Sequence, residues 1–277
     1  VRIDAHQHFW RYSPADYPWI GPSMGRLARD YLPPDLAPEL AAADLDGCIA
    51  VQARSTVAET EFLLALAEGH EIVKAVVGWA DLAAPDAAAV AARLAKNPKL
   101  RGLRHIVQDE PEDAFLRGEA FRRGVAALGE LGLVYDVLIY PKHLPYAAEF
   151  CAALPHVTFV LDHLAKPFIG KAEREPWATQ FRSLAELPNV SCKISGLVTE
   201  AKWNAWRDED FAFYLDTALD AYGPERLLYG SDWPVCLLGA NDYGQTHGLV
   251  RRWAAKLSTR DRDGLFGRNA ARIYRLS

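Results

Sequence analysis

The residues of this chain best suited to chemistry stand near its beginning. In Ile3-Asp4-Ala5-His6-Gln7-His8-Phe9-Trp10 an apolar, strand-like run ends in two histidines. Alternation along a strand turns His6 and His8 to one face, roughly 7 Å apart, where they could share a metal ion or a substrate oxygen. By the same parity Asp4 sits one step deeper, placed to fix the orientation of the two imidazoles. A lone His-x-His is as readily a pair of hydrogen-bonded core histidines, so the case for chemistry depends on partners elsewhere in the chain.

The elements that must supply those partners follow from hydrophobic period. Residues 10–34 are rich in Trp, Tyr, Pro and Gly, and so long a connection reads either as a functional lid or as a rim loop packing its own aromatics. A short helix capped by Asp35 is expected over 35–46. Short β-rich runs then alternate with helical patterns. Strands are expected at 47–52, 73–79, 100–106, 133–139, 157–163, 190–195 and 226–231. The helices between and after them are expected at 58–69, 86–95, 119–131, 143–153, 173–186, 202–221, 245–256 and 259–275. With the first strand this makes eight β/α units, which points to a single-domain α/β fold over residues 1–277, a closed (β/α)8 TIM barrel. No Gly-x-Gly-x-x-Gly follows a strand, which removes the dinucleotide-binding alternative.

Such barrels gather their chemistry at the C-terminal ends of the strands. Those ends carry His6 and His8, Gln52 and Arg54, Trp79 and Asp81, Arg104 and His105, Asp136 and Tyr140, Asp162, His163 and Lys166, Lys193 and Ser195, and Ser231-Asp232-Trp233. His6, His8, His163 and Asp232 converge across the mouth. Three nitrogens and an oxygen suit one zinc or similar divalent ion with an open position. The same four groups could also work without metal, with the histidines donating to a carbonyl while Asp232 draws a proton from water. Trp10, Trp19, Trp79, Trp233 and Tyr140 could offer aromatic faces to a substrate, and Arg54, Arg104 and Lys166 could offer donors. Trp177, Trp203, Trp206 and Trp253 fall on helical patterns and read as packing.

Composition narrows the class of partner. A net charge of -5 and a pI near 5.9 give no basic face for nucleic acid or an anionic membrane, and no apolar run approaches a membrane span, so a small molecule is the expected ligand. Cys48, Cys151, Cys192 and Cys236 are far apart and read as reduced thiols, and the chain opens without a signal-like segment, so a cytoplasmic location is expected. A homo-oligomer is left open.

Beyond these local readings, the chain resembles the amidohydrolase superfamily in its lactonase branch. The matching stretches are residues 3–10, Gly102-Leu103-Arg104-His105, Leu161-Asp162-His163-Leu164-Ala165-Lys166-Pro167, Lys193-Ile194-Ser195-Gly196-Leu197 and Tyr229-Gly230-Ser231-Asp232-Trp233-Pro234-Val235. The resemblance implies hydrolysis of a sugar-acid lactone such as L-fucono-lactone or L-rhamnono-lactone. It implies Asp232 as general base and later acid, with His6, His8 and His163 beside it, and Arg104, His105, Gln52, Arg54, Lys193 and Trp233 as substrate contacts. The superfamily's bridging lysine near the end of strand four has no counterpart in Arg101-Gly102-Leu103-Arg104-His105. One divalent ion, zinc, is therefore implied rather than two, in a branch that also includes metal-independent enzymes. A zinc-dependent hydrolase or decarboxylase of an aromatic-derived acid or dicarboxylate lactone would want more strand-end arginines than Arg54 and Arg104. A non-catalytic binding barrel would have lost part of the strand-end set, which is intact.

Overall fold

β-branched and apolar runs become short strands because each is buried on both faces. The computed structural model describes residues 1–276. Its strands are β1 (Ile3–Gln7), β2 (Gly47–Val51), β3 (Val73–Gly78), β4 (Leu100–Ile106), β5 (Val134–Leu138), β6 (Thr158–Leu161), β7 (Val190–Ile194) and β8 (Leu227–Tyr229). They form one parallel sheet in sequence order. The helices are α1 (Pro33–Ala42), α2 (Val57–Gly69), α3 (Ala87–Leu94), α4 (Glu119–Glu130), α5 (Leu144–Ala153), α6 (Trp177–Ala185), α7 (Leu197–Glu200), α8 (Asp208–Tyr222), α9 (Tyr243–Trp253), α10 (Thr259–Asp263) and α11 (Asn269–Ile273). The architecture is the expected (β/α)8 barrel.

Strand alternation divides the core in two. Ile3, Ala5, Ile49, Val51, Ala75, Val77, Val134, Val160 and Leu228 fill the barrel interior, and Ala270, Ile273 and Tyr274 close it from the end opposite the active site. The other strand faces, including Ala50, Val76, Leu103, Tyr135, Phe159 and Leu161, pack against Leu63, Phe121, Phe150 and Phe181 of the helices. The sheet closes at a seam between β1 and the segment after β8. There the amide of Asp232 donates to the carbonyl of His6 at 2.8 Å, and that of His8 to Trp233 at 2.7 Å. Barrel closure thus sets the first histidines beside the last carboxylate.

Several local expectations change for identifiable reasons. Helix α1 starts at Pro33, where a proline's missing donor costs nothing, and Asp35 caps it from its third position by accepting from the amide of Leu32 at 2.9 Å. The pattern over 202–221 yields a loop and then α8, because Asp210 accepts from the amide of Arg207 at 2.9 Å and starts the helix there. The C-terminal pattern over 259–275 breaks between α10 and α11 where Gly267 passes under β1. A Cβ on it would lie 2.2 Å from the carbonyl of Val1. The 10–34 loop packs its own aromatics and also borders the cleft. Trp10, Tyr17 and Tyr31 pack together and are buried, while Trp19 and Met24 reach the cleft above the barrel.

Candidate active site

The expected alternation of β1 fails at one point, and the failure builds the site. Asp4 pairs with Cys48 of β2 but Gln7 pairs with Ala50, so β1 carries an extra residue between them. Ile3 and Ala5 face the interior, the bulge intervenes, and His6 and His8 face inward as well. Asp4 is left on the outer side. It accepts from the amides of Ser231 and His6 at 2.9 and 3.1 Å and from the hydroxyl of Tyr243 on α9 at 3.0 Å, so it pins the seam and does not orient the imidazoles. Burial pushes its carboxyl up to about 6.

Asp162 is the group that orients His6, its Oδ1 lying 3.2 Å from His6 Nδ1. Strand β6 stops at Leu161, one residue before it. The chain then turns through four consecutive non-glycine residues in the left-handed region, His163, Leu164, Ala165 and Lys166, with φ of 55, 53, 58 and 52°. Each costs about 1–2 kcal/mol relative to a right-handed turn, strain of a kind that concentrates at functional sites. The turn swings His163 over Gly196. At that glycine φ is +61°, and an added Cβ would lie 2.5 Å from His163 Nδ1. Asp232, at φ 59°, is also left-handed.

Asp232 Oδ1 lies 3.2, 3.7 and 3.9 Å from the Nε2 atoms of His8, His6 and His163. Tautomers follow from the partners on the other nitrogens. His8 Nδ1 is 2.8 Å from the carbonyl of Val51, which can only accept, so Nδ1 carries a proton, and Nε2 faces Asp232. His6 Nδ1 faces Asp162, and its Nε2 accepts from Arg104 Nη1 at 3.3 Å. His163 Nδ1 is 2.8 Å from Ser195 Oγ. Burial holds His6 well below its ordinary range and pushes His163 down to about 4, so both are neutral. Burial acts to raise Asp232, but attraction to His163, cationic at the acid pH where a carboxyl titrates, together with the His8 hydrogen bond outweighs it and keeps the carboxyl well below its usual range and ionised. Ring nitrogens gathered around a carboxylate oxygen make a nest of the kind that suits a cation. The ligand atoms of His6, His8 and Asp232 lie within 4.8 Å of one another and suit one divalent ion, whereas His163 groups with His6 and Asp162 instead.

A cleft of about 430 Å³ opens over this cluster. Of the residues expected at the site, His8, His163, Asp232 and Arg104 line it. Gln52 and Lys193 are buried beneath it, Gln52 accepting from Arg104 through Oε1 at 3.0 Å and Lys193 pairing with Asp136 and Asp162. Arg54 lies to the side, bonded to Asp16 at 2.8 Å. His105 points outward from β4, 2.6 Å from Glu110 and stacked on Phe115. Trp10 and Trp233 pack around Tyr31 behind the site.

Residues not singled out complete the cleft: Gln108, Asp109, Glu200 and Trp203 join Trp19, Tyr140 and Lys166. Trp203 was expected to pack on a helix, but it lies in the loop before α8 and is 40% exposed. The acidic run 208–210 carried the signal that the helix starts there, with those residues as its first turn. Lys166 sits 5.4 Å from the ring centre of Tyr140, and burial lifts Glu200 to about 7.

Comparison with known proteins places the chain in a family. The amidohydrolase family model matches residues 3–276. The chain belongs to the amidohydrolase family. This amidohydrolase is 50% identical to an L-fucono-1,5-lactonase of Burkholderia multivorans, covering 100% of this chain and 96% of that protein. It is 38% identical to an L-fucono-1,5-lactonase of Burkholderia ambifaria, covering 99% of this chain and 96% of that protein. A crystal structure of an amidohydrolase from Burkholderia multivorans with bound Zn superposes with a TM-score of 0.93 at 49% identity, over 100% of both chains.

Proposed function

We propose that this amidohydrolase opens a six-carbon sugar-acid lactone, L-fucono-1,5-lactone or a close stereoisomer, to the hydroxy acid. Lactone hydrolysis as the activity rests on full-length similarity to two L-fucono-1,5-lactonases. The observation that carries the substrate class is the character of the cleft. One ionised carboxylate faces neutral imidazoles, and Arg104 is the single arginine lining the cleft among the described residues. A dicarboxylate would call for several guanidinium groups, whereas a neutral polyol calls for mixed donors and aromatic faces such as Lys166, Glu200, Gln108, Trp19 and Trp203.

In the reaction, water adds to the lactone carbonyl carbon and Asp232 accepts its proton. Arg104, whose Nη1 already reaches His6 Nε2, provides positive charge at the mouth for the developing oxyanion. The ring C–O bond then breaks, and Asp232 returns the proton to the departing ring oxygen. A divalent ion, zinc by the donor set, held by His6, His8 and Asp232 would supply Lewis-acid polarisation of the carbonyl.

Proton release from a panel of six-carbon sugar lactones tests the substrate, with metal analysis and chelator treatment of the same preparation. Hydrolysis of the L-fucono-lactone and about one zinc per chain are expected. Activity on none of the panel would overturn the sugar-lactone reading, and full activity in metal-free protein would remove the ion from the reaction. Lys166→Met is expected to raise KM about 10- to 100-fold with kcat little changed, as loss of a charged hydrogen bond to a substrate hydroxyl requires. A fall in kcat at constant KM would instead place Lys166 among the reacting groups.

A further inference from the structure

A line of buried polar groups runs down the barrel axis from the active site to its closed end. His6 Nδ1 is 3.2 Å from Asp162 Oδ1, and Lys193 Nζ is 3.1 Å from the same oxygen and 3.3 Å from the same nitrogen. Lys193 also donates to Asp136 Oδ2. Asp136 Oδ1 accepts from the hydroxyl of Tyr274 at 2.7 Å. His6, Asp162, Lys193 and Asp136 are completely buried and Tyr274 is 1% exposed. Tyr274 follows α11, so its ring enters the barrel from the end opposite the cleft, beneath Lys193, whose ammonium lies 5.5 Å from the ring centre.

We propose that Tyr274 is a positioning residue for the active site. Its hydroxyl fixes Asp136, Asp136 fixes the Lys193 ammonium, and the ammonium shares Asp162 with the imidazole of His6. Each link has limited freedom. A lysine ammonium has three donors to aim. Two of its acceptors are these carboxylates, so the direction of Asp136 decides where Lys193 stands against Asp162 and His6. The ring of Tyr274 accounts for packing at the closed end, where Ile273 and Ala270 serve without a polar group. Packing alone would be met by phenylalanine. The hydroxyl has a separate role because it satisfies a carboxylate that no other side-chain donor except Lys193 reaches among the described residues.

The inference rests on the hydrolytic reading of the site, and its test separates the two. Tyr274→Phe retains the ring and removes the hydroxyl. With L-fucono-1,5-lactone as substrate, kcat is expected to fall about 10-fold, the lower end of losses for groups that orient a metal-binding histidine, with KM within about twofold. In proton NMR the His6 Nδ1–H resonance should move, a readout independent of substrate. Asp136→Asn, with both neighbours kept, is expected to show the same two changes and serves if Tyr274→Phe does not fold. An unchanged kcat with an unmoved His6 resonance in a folded variant, or a lowered melting temperature alone, would overturn the proposal. If the parent enzyme opens no lactone, the substrate reading fails, while the His6 resonance still decides whether the chain of contacts positions the ring.

Discussion

Asp232→Asn is expected to lower kcat on the lactone by about three orders of magnitude while the protein remains folded. The size follows from what the side chain does twice. In the proposed reaction it takes a proton from water and later returns it to the ring oxygen, and positioned acid–base groups contribute about 10²–10⁴-fold. Folding should survive because the amide fits where the carboxylate stood. Asn offers both an accepting oxygen and a donating NH₂, so it can pair with His8 Nε2, now 3.2 Å from Asp232 Oδ1, whichever tautomer that ring takes. The left-handed backbone at this position also favours Asn over most residues. Stopped-flow or pH-indicator assays beside circular dichroism and metal analysis check it. A purified variant with the parent's kcat would sink the assignment of Asp232 as base.

Much of the framework was legible because it is written in period. Eight apolar runs alternating with helical patterns have few closed solutions, and once the barrel is drawn, the strand ends nominate His6, His8, His163 and Asp232 without further help. What one dimension hid is equally specific. Strand parity assigned Asp4 to the histidines, and a single extra residue in β1 sent it to Tyr243 instead. Strand-end position also nominated Lys193, Gln52 and His105 as lining residues. In a barrel the same strand end can point up into the cleft, down the axis or out to the helices, and only neighbouring strands decide which. Lys193 points down because Asp136 on β5 and the turn residue Asp162 offer it two carboxylates, and His105 points out because Arg104 points in. Trp203 was hidden by a helical pattern running through a loop, and the left-handed run from His163 to Lys166 has no glycine to announce it.

The placement of Lys193 leads to the second large effect, on stability. Lys193→Met preserves most of the stem's volume and removes the ammonium from between Asp136 and Asp162. Breaking a buried pair from one side typically costs about 3–5 kcal/mol. The two carboxylates fare differently. Asp162 retains Arg104, 2.9 Å away, whereas Asp136 keeps only the hydroxyl of Tyr274. Burial already lifts Asp136 to about 6 against the pull of Lys193, and without that pull its folded pKa rises further. A carboxyl whose folded pKa lies above its unfolded value contributes stability that is present below the unfolded value, near 4, and is lost as pH rises through the folded one. The deficit of Lys193→Met relative to the parent should therefore be small near pH 4–5 and grow toward pH 8. Adding Asp136→Asn should recover part of it by removing the charge that lost its partner. Urea unfolding midpoints across this pH range measure both effects. A variant as stable as the parent at pH 8 but with a raised KM would return Lys193 to the substrate-contact role that the family resemblance implied.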